Sequence, residues 1–296
     1  MSCDLCPRRC GAARAHGETG FCGVPETLYV CRAAPHFGEE PCISGTRGSG
    51  AVFFAGCGLG CVFCQNRAIS RGRAGEPLTP AELRDTLLRL RDTGVHNINL
   101  VTASHYSLTV AEVLSGLTLG VPVVWNSSGY ESVETLRQLE GLVQVYMPDY
   151  KFADAALAAA YANAPDYPET ARAAIAEMYR QTGPFVLDDD GILQRGVLIR
   201  HLILPGSPEN TLRVIDAVED HLPPEGVLFS LMSQYTPMPG LERFPDLQRR
   251  VSEAEFERCC SYLDFSALAH GYYQTPDSAT EDMIPAFDGT GVKRNA

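Results

Sequence analysis

From about residue 50 onward the chain alternates short apolar runs with amphipathic stretches. The apolar runs lie at 51–55, 98–101, 121–125, 143–146, 197–204 and 227–231, and each predicts a strand buried on both faces. Between the first two runs, Thr79-Pro80-Ala81-Glu82 predicts a helix start, with a capping box and a proline at its first position. Leu83, Leu87 and Leu90 line one face of that helix, and Gly94 can close it. Thr109-Val110-Ala111-Glu112 predicts a second capping box, and further helices are expected to begin near Glu131, Glu169, Glu209 and Ser252. Six strand–helix units argue for a parallel, curved sheet. A closed barrel needs eight. The expected fold is therefore α/β, a three-quarter TIM-like barrel.

The polar exceptions follow these strands. The first leads to Cys57, Cys61 and Cys64, the second to Thr102, Ser104 and His105, and the third to Asn126, Ser127 and Ser128. The fourth leads to Asp149 and Lys151, the fifth carries Arg200 and His201, and the sixth leads to Ser233, Gln234 and Tyr235. Active sites of α/β barrels sit at the C-terminal ends of the strands, so these groups are candidates for one site. A guanidinium inside an apolar strand needs an anionic partner, which marks Arg200. The others have structural readings as well. Residues 126–129 also fit a strand-ending turn that caps the next helix. Asp149 and Lys151 also fit a surface ion pair, and His105 and His201 fit hydrogen-bonded core residues.

Composition narrows the field. The 296 residues are 45% hydrophobic, enough for a full core, and no apolar run reaches membrane-spanning length. A net charge of −12 argues against a nucleic-acid scaffold. Eleven cysteines without an export signal point to metal binding in a reducing cytoplasm rather than to disulfides.

Those cysteines fall into two sets. Cys57, Cys61 and Cys64 are spaced CxxxCxxC just after the first strand, with Gly58 and Gly60 between them. Three thiolates so close in sequence can converge on three corners of an iron–sulfur cube and leave one iron open to a small ligand. A zinc site or three unrelated thiols are the alternatives. Cys3, Cys6, Cys10 and Cys22 form a compact four-thiol set in a glycine-rich segment without strand–helix alternation. So short a segment buries little apolar surface and needs a metal to order it, either zinc or a second cluster. The expected organisation is a cysteine-rich module over 1–45, a barrel over 46–245, and a C-terminal helix and tail over 246–296. Within that tail, 271–274 and 284–288 are expected to pack over the barrel or cover an opening. Cys31, Cys42, Cys259 and Cys260 receive no role.

CxxxCxxC after a first strand resembles the signature of radical S-adenosylmethionine (SAM) enzymes. The stretch from His36-Phe37-Gly38-Glu39-Glu40 through Cys64-Gln65-Asn66 is similar to the pyruvate formate-lyase activating enzymes, and in particular to activating-enzyme-like iron–sulfur proteins with an N-terminal cysteine module. Segments 97–105, 125–130, 147–151 and 199–206 share the resemblance. It implies a [4Fe-4S] cluster on Cys57, Cys61 and Cys64, with SAM bound at the open iron. It makes Thr102, Ser104, Asn126, Ser128, Asp149, Lys151 and Arg200 candidate contacts for SAM, and places Phe63 near adenine. Reductive cleavage of SAM would give a 5′-deoxyadenosyl radical that takes a hydrogen from a glycyl radical enzyme, or alternatively from a peptide or small metabolite. An electron donor of flavodoxin or ferredoxin type is implied. A non-catalytic electron-transfer or interaction protein is the reading from another class. The glycine-rich loop of the better-known activating enzymes is replaced here by Val101-Thr102-Ala103-Ser104-His105. No residue is assigned as catalytic from the sequence.

Overall fold

The computed structural model describes residues 3–72, 74–275 and 285–293. Ten strands run in chain order: β1 (Leu28–His36), β2 (Ser49–Phe54), β3 (Glu76–Leu78), β4 (Ile98–Val101), β5 (Val123–Ser127), β6 (Val145–Pro148), β7 (Val186–Leu187), β8 (Leu193–Leu202), β9 (Leu228–Met232) and β10 (Gly271–Gln274). They form one open sheet in the order β10-β9-β8-β6-β5-β4-β2-β1-β3, with β7 paired to β8. From β2 to β10 the main path is parallel, while β1 and β3 add an antiparallel edge. All residues of β2, β4, β5, β6 and β9 are buried. Continuous apolar runs have that outcome when both faces of a strand are covered.

Helices α1 (Pro41–Ser44), α2 (Arg67–Ser70), α3 (Pro80–Asp92), α4 (Ser107–Ser115), α5 (Val133–Arg137), α6 (Ala155–Ala162), α7 (Tyr167–Thr182), α8 (Pro208–His221) and α9 (Glu253–Asp264) complete the fold. The capping boxes at Thr79–Glu82 and Ser252–Glu255 both form. The one expected at Thr109 does not. The chain turns through a 3-10 segment at Ser104–Tyr106 and enters α4 at Ser107, so Thr109 lies inside the helix. Helix α6 was not anticipated. Its alanine-rich sequence has no amphipathic stripe to detect, and Asp154 caps it by accepting from the Ala156 and Leu157 N–H groups. Residues 28–36 also depart from expectation by joining the main sheet. Gly271–Gln274 extends that sheet as β10 rather than covering it. Ile284 lies outside the described residues, whereas Phe287 stacks edge-on against Phe53 with 5.4 Å between ring centres.

The sheet curls into a partial barrel. Glu39, in the link after β1, bonds Arg200 on β8. A flat sheet would hold those strands roughly 20 Å or more apart, because each neighbour adds about 4.8 Å. The bottom of the curl is filled by Val124, Val145, Leu198 and Leu228 from the strands together with Cys42 and Ile43 of α1. Helix α1 is thus an apolar plug, and the polar space lies above it, toward the C-terminal ends of the parallel strands.

No helix among the described residues is long and apolar enough to cross a membrane.

Helix α3 seals the outside of the sheet with Leu83, Leu87 and Leu90. Leu87 is 0% exposed, so Leu87→Ala should cost about 2–5 kcal/mol, read as a lower urea midpoint at unchanged slope. A loss under about 1 kcal/mol would mean that the face is not packed as described.

Candidate active site

One cavity of about 220 Å³ opens at the C-terminal ends of the strands. Its walls are drawn from almost every parallel strand. Cys57, Cys61, Phe63 and Cys64 come from the loop after β2, Thr102 follows β4, and Asn126 to Ser128 end β5. Asp149 and Lys151 follow β6, Arg200 ends β8, Gln234 follows β9, and Gln274 ends β10.

The cysteine loop is held by its backbone. Gly56 has φ +87° and Gly60 φ +70°, conformations that favour glycine. A Cβ on Gly56 would also stand 2.8 Å from the Cys22 carbonyl oxygen. Two arginines then occupy the loop's carbonyls. Arg8 donates to Gly58 (2.9 Å) and Leu59 (3.0 Å), and Arg71 donates to Gly60 (2.6 Å). Arg8 also reaches Ala162 (2.7 Å) and Asn163 at the end of α6, and its guanidinium lies over Phe21, 3.9 Å from the ring centre. The N-terminal segment therefore clamps the cysteine loop directly, and the Cys57 N–H donates to the Cys22 carbonyl at 3.3 Å.

All eleven cysteines are free. Burial pushes the Cys61 thiol well above its ordinary value, and the nearby charges of Cys64 and Cys57 add to that while Lys151 opposes it. Cys64 is raised by burial and by Cys57. Three sulfurs on one loop at a cavity wall suit a polynuclear iron–sulfur group. In the N-terminal set, burial raises Cys6 to about 11, and Cys3, Cys22 and Cys10 contribute by proximity. Among the described residues no group of three or more His, Cys, Asp or Glu side chains is arranged to hold a metal ion.

Opposite the cysteines lies a buried ion-pair network. Arg200 spends every nitrogen: Nε donates to Asp149 (3.0 Å), Nη1 to Glu39 (2.8 Å) and Nη2 to Asn126 (2.8 Å). Asn126 returns its amide N–H to Glu39 at 3.1 Å, and Asn99 adds another at 3.0 Å. Lys151 Nζ donates to the second oxygen of Asp149 at 2.6 Å. Burial acts to raise the Asp149 carboxyl, but Arg200 and Lys151 outweigh it and hold the group below the usual range. Arg200 is only 13% exposed and Asp149 16%, so this is an interior network, not a surface pair.

The expected residues divide accordingly. Phe63, Thr102, Asn126, Ser128, Asp149, Lys151 and Arg200 all line the cavity with the three cysteines. Thr102 has φ +60°, a costly conformation for a β-branched residue and a common mark of a functional loop. Ser104 does not reach the cavity: its hydroxyl donates to Glu131 at 2.5 Å, beside the Trp125 indole N–H. Arg200 and Asn126 face the cavity and are already tied to protein partners, Arg200 through three bonds and Asn126 through its amide oxygen and one N–H. Phe63 packs among Phe152, Tyr161 and Tyr235 at about 6 Å between ring centres. His105 and His201 are core residues. His105 bonds the Ala55 carbonyl, His201 bonds the Tyr150 carbonyl and Thr211, and burial holds them neutral, near 3 and 4 respectively. Glu39 and Glu40 were not assigned as site residues from the sequence. The signal for them was Arg200's need for an anion.

No protein-family model matches the chain. An uncharacterized protein of Methanocaldococcus jannaschii, MJ0674, is 29% identical over 267 residues, covering 87% of this chain and 72% of that protein. Among solved structures, SuiB of Streptococcus suis bound to the precursor peptide SuiA overlaps with a TM-score of 0.48 at 11% identity, over 74% of this chain and 46% of that one. The same enzyme bound to S-adenosylmethionine gives 0.48 at 12%, over 77% and 48%. Methylornithine synthase (PylB) gives 0.47 at 16%, over 73% and 68%. The chain thus spans about half the length of SuiB, and overlaps of this size do not bear on its chemistry.

Two outcomes follow from this geometry. Arg200→Met strands the carboxylates of Glu39 and Asp149 and should destabilise the protein by about 3–5 kcal/mol, seen in chemical unfolding. A neutral result would show that the network is not formed. Arg8→Ala should cost about 1–3 kcal/mol and speed amide hydrogen exchange specifically across 57–64. Unchanged exchange there would release the N-terminal segment from its role as clamp.

Proposed function

We propose that the chain is a radical SAM enzyme. The observation that carries this reading is the placement of Cys57, Cys61 and Cys64 on the wall of the cavity at the C-terminal ends of the strands, facing a network of buried polar groups. A [4Fe-4S] cluster on these sulfurs would supply the electron that splits SAM and releases a 5′-deoxyadenosyl radical. The chain's own residues do the positioning. Arg8 and Arg71 fix the loop that carries the sulfurs. Lys151, charged and held by Asp149, faces the cavity on the cysteine side and is the available cation for a ligand carboxylate. Ser128 and the strained Thr102 offer polar groups at the strand ends. The buried aromatic cluster around Phe63 shields one wall from water, which suits chemistry on a reactive radical.

The finer readings stand on this one. The hydrogen donor is a partner protein's glycine, a peptide or a small metabolite. A glycyl radical on an added partner would appear as a characteristic EPR signal. We also assign Cys3, Cys6, Cys10 and Cys22 to a second metal centre, zinc or an iron–sulfur cluster, beside the first loop. Its support is the mutual influence of the four thiols and the contact of Cys22 with Cys57.

Anaerobically reconstituted protein with SAM and dithionite should form 5′-deoxyadenosine. Replacing Cys57, Cys61 and Cys64 together with alanine should abolish it, and product from that triple variant would refute the proposal. Separately, Cys6→Ser should lose the metal of the N-terminal set, zinc or iron, while the cysteine-loop cluster persists. Zinc and iron contents both unchanged in that variant would leave a single-cluster protein.

A further inference from the structure

The floor of the cavity carries an imbalance that the ion-pair network does not resolve. Three carboxyl groups, Glu39, Glu40 and Asp149, line the cavity together with two cations, Lys151 and Arg200. Glu39 and Asp149 are fully engaged. Glu40 is not. Its side chain is 1% exposed, neither of its carboxyl oxygens has a close hydrogen-bond partner, and Arg200, 3.9 Å away, directs its three short bonds to Asp149, Glu39 and Asn126 instead. The groups facing Glu40 come from every element around it: Glu39 beside it, Cys42 on α1, Arg200 on β8, Ser230 on β9 and Tyr272 on β10. None of them supplies a second cation.

A buried carboxyl left without partners is costly, and here the deficit is one-sided. Gln274 Oε1, on the same cavity wall, is also without a donor, as is Oδ1 of Asn99, whose amide N–H holds Glu39. Ser230, beside Glu40, can turn its hydroxyl toward the carboxyl as one donor, which leaves the other oxygen open. The open positions are therefore acceptors beside a buried carboxyl, which burial pushes toward its neutral form and which an incoming cation would hold ionised. Along the chain Lys151–Asp149–Arg200, Lys151 stands near Cys61 at one end and Arg200 near Glu40 at the other. The pole around Glu40 is the end of this network away from Cys61.

We propose that this pole is the substrate subsite and that it takes a cationic, donor-rich group, an ammonium or a guanidinium, paired with Glu40. The inference rests on the radical SAM reading of the same cavity and names the class of molecule it acts on. An ammonium brings three N–H donors and a guanidinium five, which matches unfilled acceptors that a hydroxyl or an alkyl group would leave unpaired. The group can arrive as a lysine or arginine side chain of a peptide or as a free amine. In both cases Glu40 acts as a specificity determinant that selects charge before any chemistry.

The test uses the reconstituted protein with SAM and isothermal titration calorimetry. The free-amine arm compares agmatine and cadaverine with neutral 1,5-pentanediol. The peptide arm compares N-acetyl-arginine methylamide with N-acetyl-norleucine methylamide. In at least one arm the cationic probe should bind tenfold or more tightly than its neutral counterpart, and Glu40→Gln should remove most of that preference. Gln274→Leu, which leaves the buried carboxyl in place, should reduce it by a smaller factor. The arm that responds identifies the source of the cation. Equal binding of charged and neutral probes in both arms, or a preference that Glu40→Gln leaves intact, overturns the proposal. The wild-type comparison decides the matter even if the Glu40 variant fails to fold. Formation of 5′-deoxyadenosine from SAM alone is measured on the same wild-type preparation. Product formed without charge selectivity defeats only this inference, whereas no product at all defeats the reading beneath it.

Discussion

The guanidinium of Arg200 is the interaction on which the architecture of the site depends. It sits on β8, yet it bonds Asp149 after β6, Asn126 on β5 and Glu39 in the link after β1. One side chain thus ties four regions of a curved sheet around a common point. Charges taken out of water must be matched by good geometry, and the matching explains why the polar groups stand where they do. Asn99 and Asn126 present amide donors to Glu39 because its second oxygen would otherwise be bare. Lys151 covers the outer oxygen of Asp149. The network rests on the apolar plug of α1, so the interior changes from dry to polar within a few residues of Glu40 and Pro41.

A second constraint comes from the N-terminus. Carbonyl oxygens of the cysteine loop point outward and need donors, and Arg8 and Arg71 supply them. Arg8 belongs to the turn between Cys6 and Cys10, so the segment carrying those cysteines also braces the loop of Cys57, Cys61 and Cys64. Arg14 extends the clamp to the loop after β4, donating to the His105 carbonyl at 2.6 Å. The N-terminal segment is in this way part of the wall of the site rather than an appendage.

Much of this was legible in the sequence, and the parts that were not share a physical reason. Apolar runs located the parallel strands to within a few residues, because a strand covered on both faces is uniformly hydrophobic. The strand-end rule then gathered Thr102, Asn126, Ser128, Asp149, Lys151 and Arg200 at one rim. Pairing was hidden. Arg200 announced a need for an anion, but its partner Glu39 lies 161 positions away, and nothing local connects them. The structural bonds of Arg200 and Asn126 were hidden for the same reason. Ser104 looked like a rim residue until the buried carboxyl of Glu131 claimed its hydroxyl. Strand β1 hid in a cysteine-rich segment, because the cysteines drew attention from the apolar residues between them. Helix α6 hid because alanines leave no periodic stripe.

The central claim is that the sulfurs of Cys57, Cys61 and Cys64 hold a cluster with an iron open to SAM. Electron paramagnetic resonance of the reduced, anaerobically reconstituted Cys6→Ser protein tests it most directly, since the signal then comes from the cysteine-loop centre. The account predicts a [4Fe-4S]⁺ spectrum whose g-values shift when SAM is added. A spectrum indifferent to saturating SAM, or a protein that binds no iron at this loop, would contradict it.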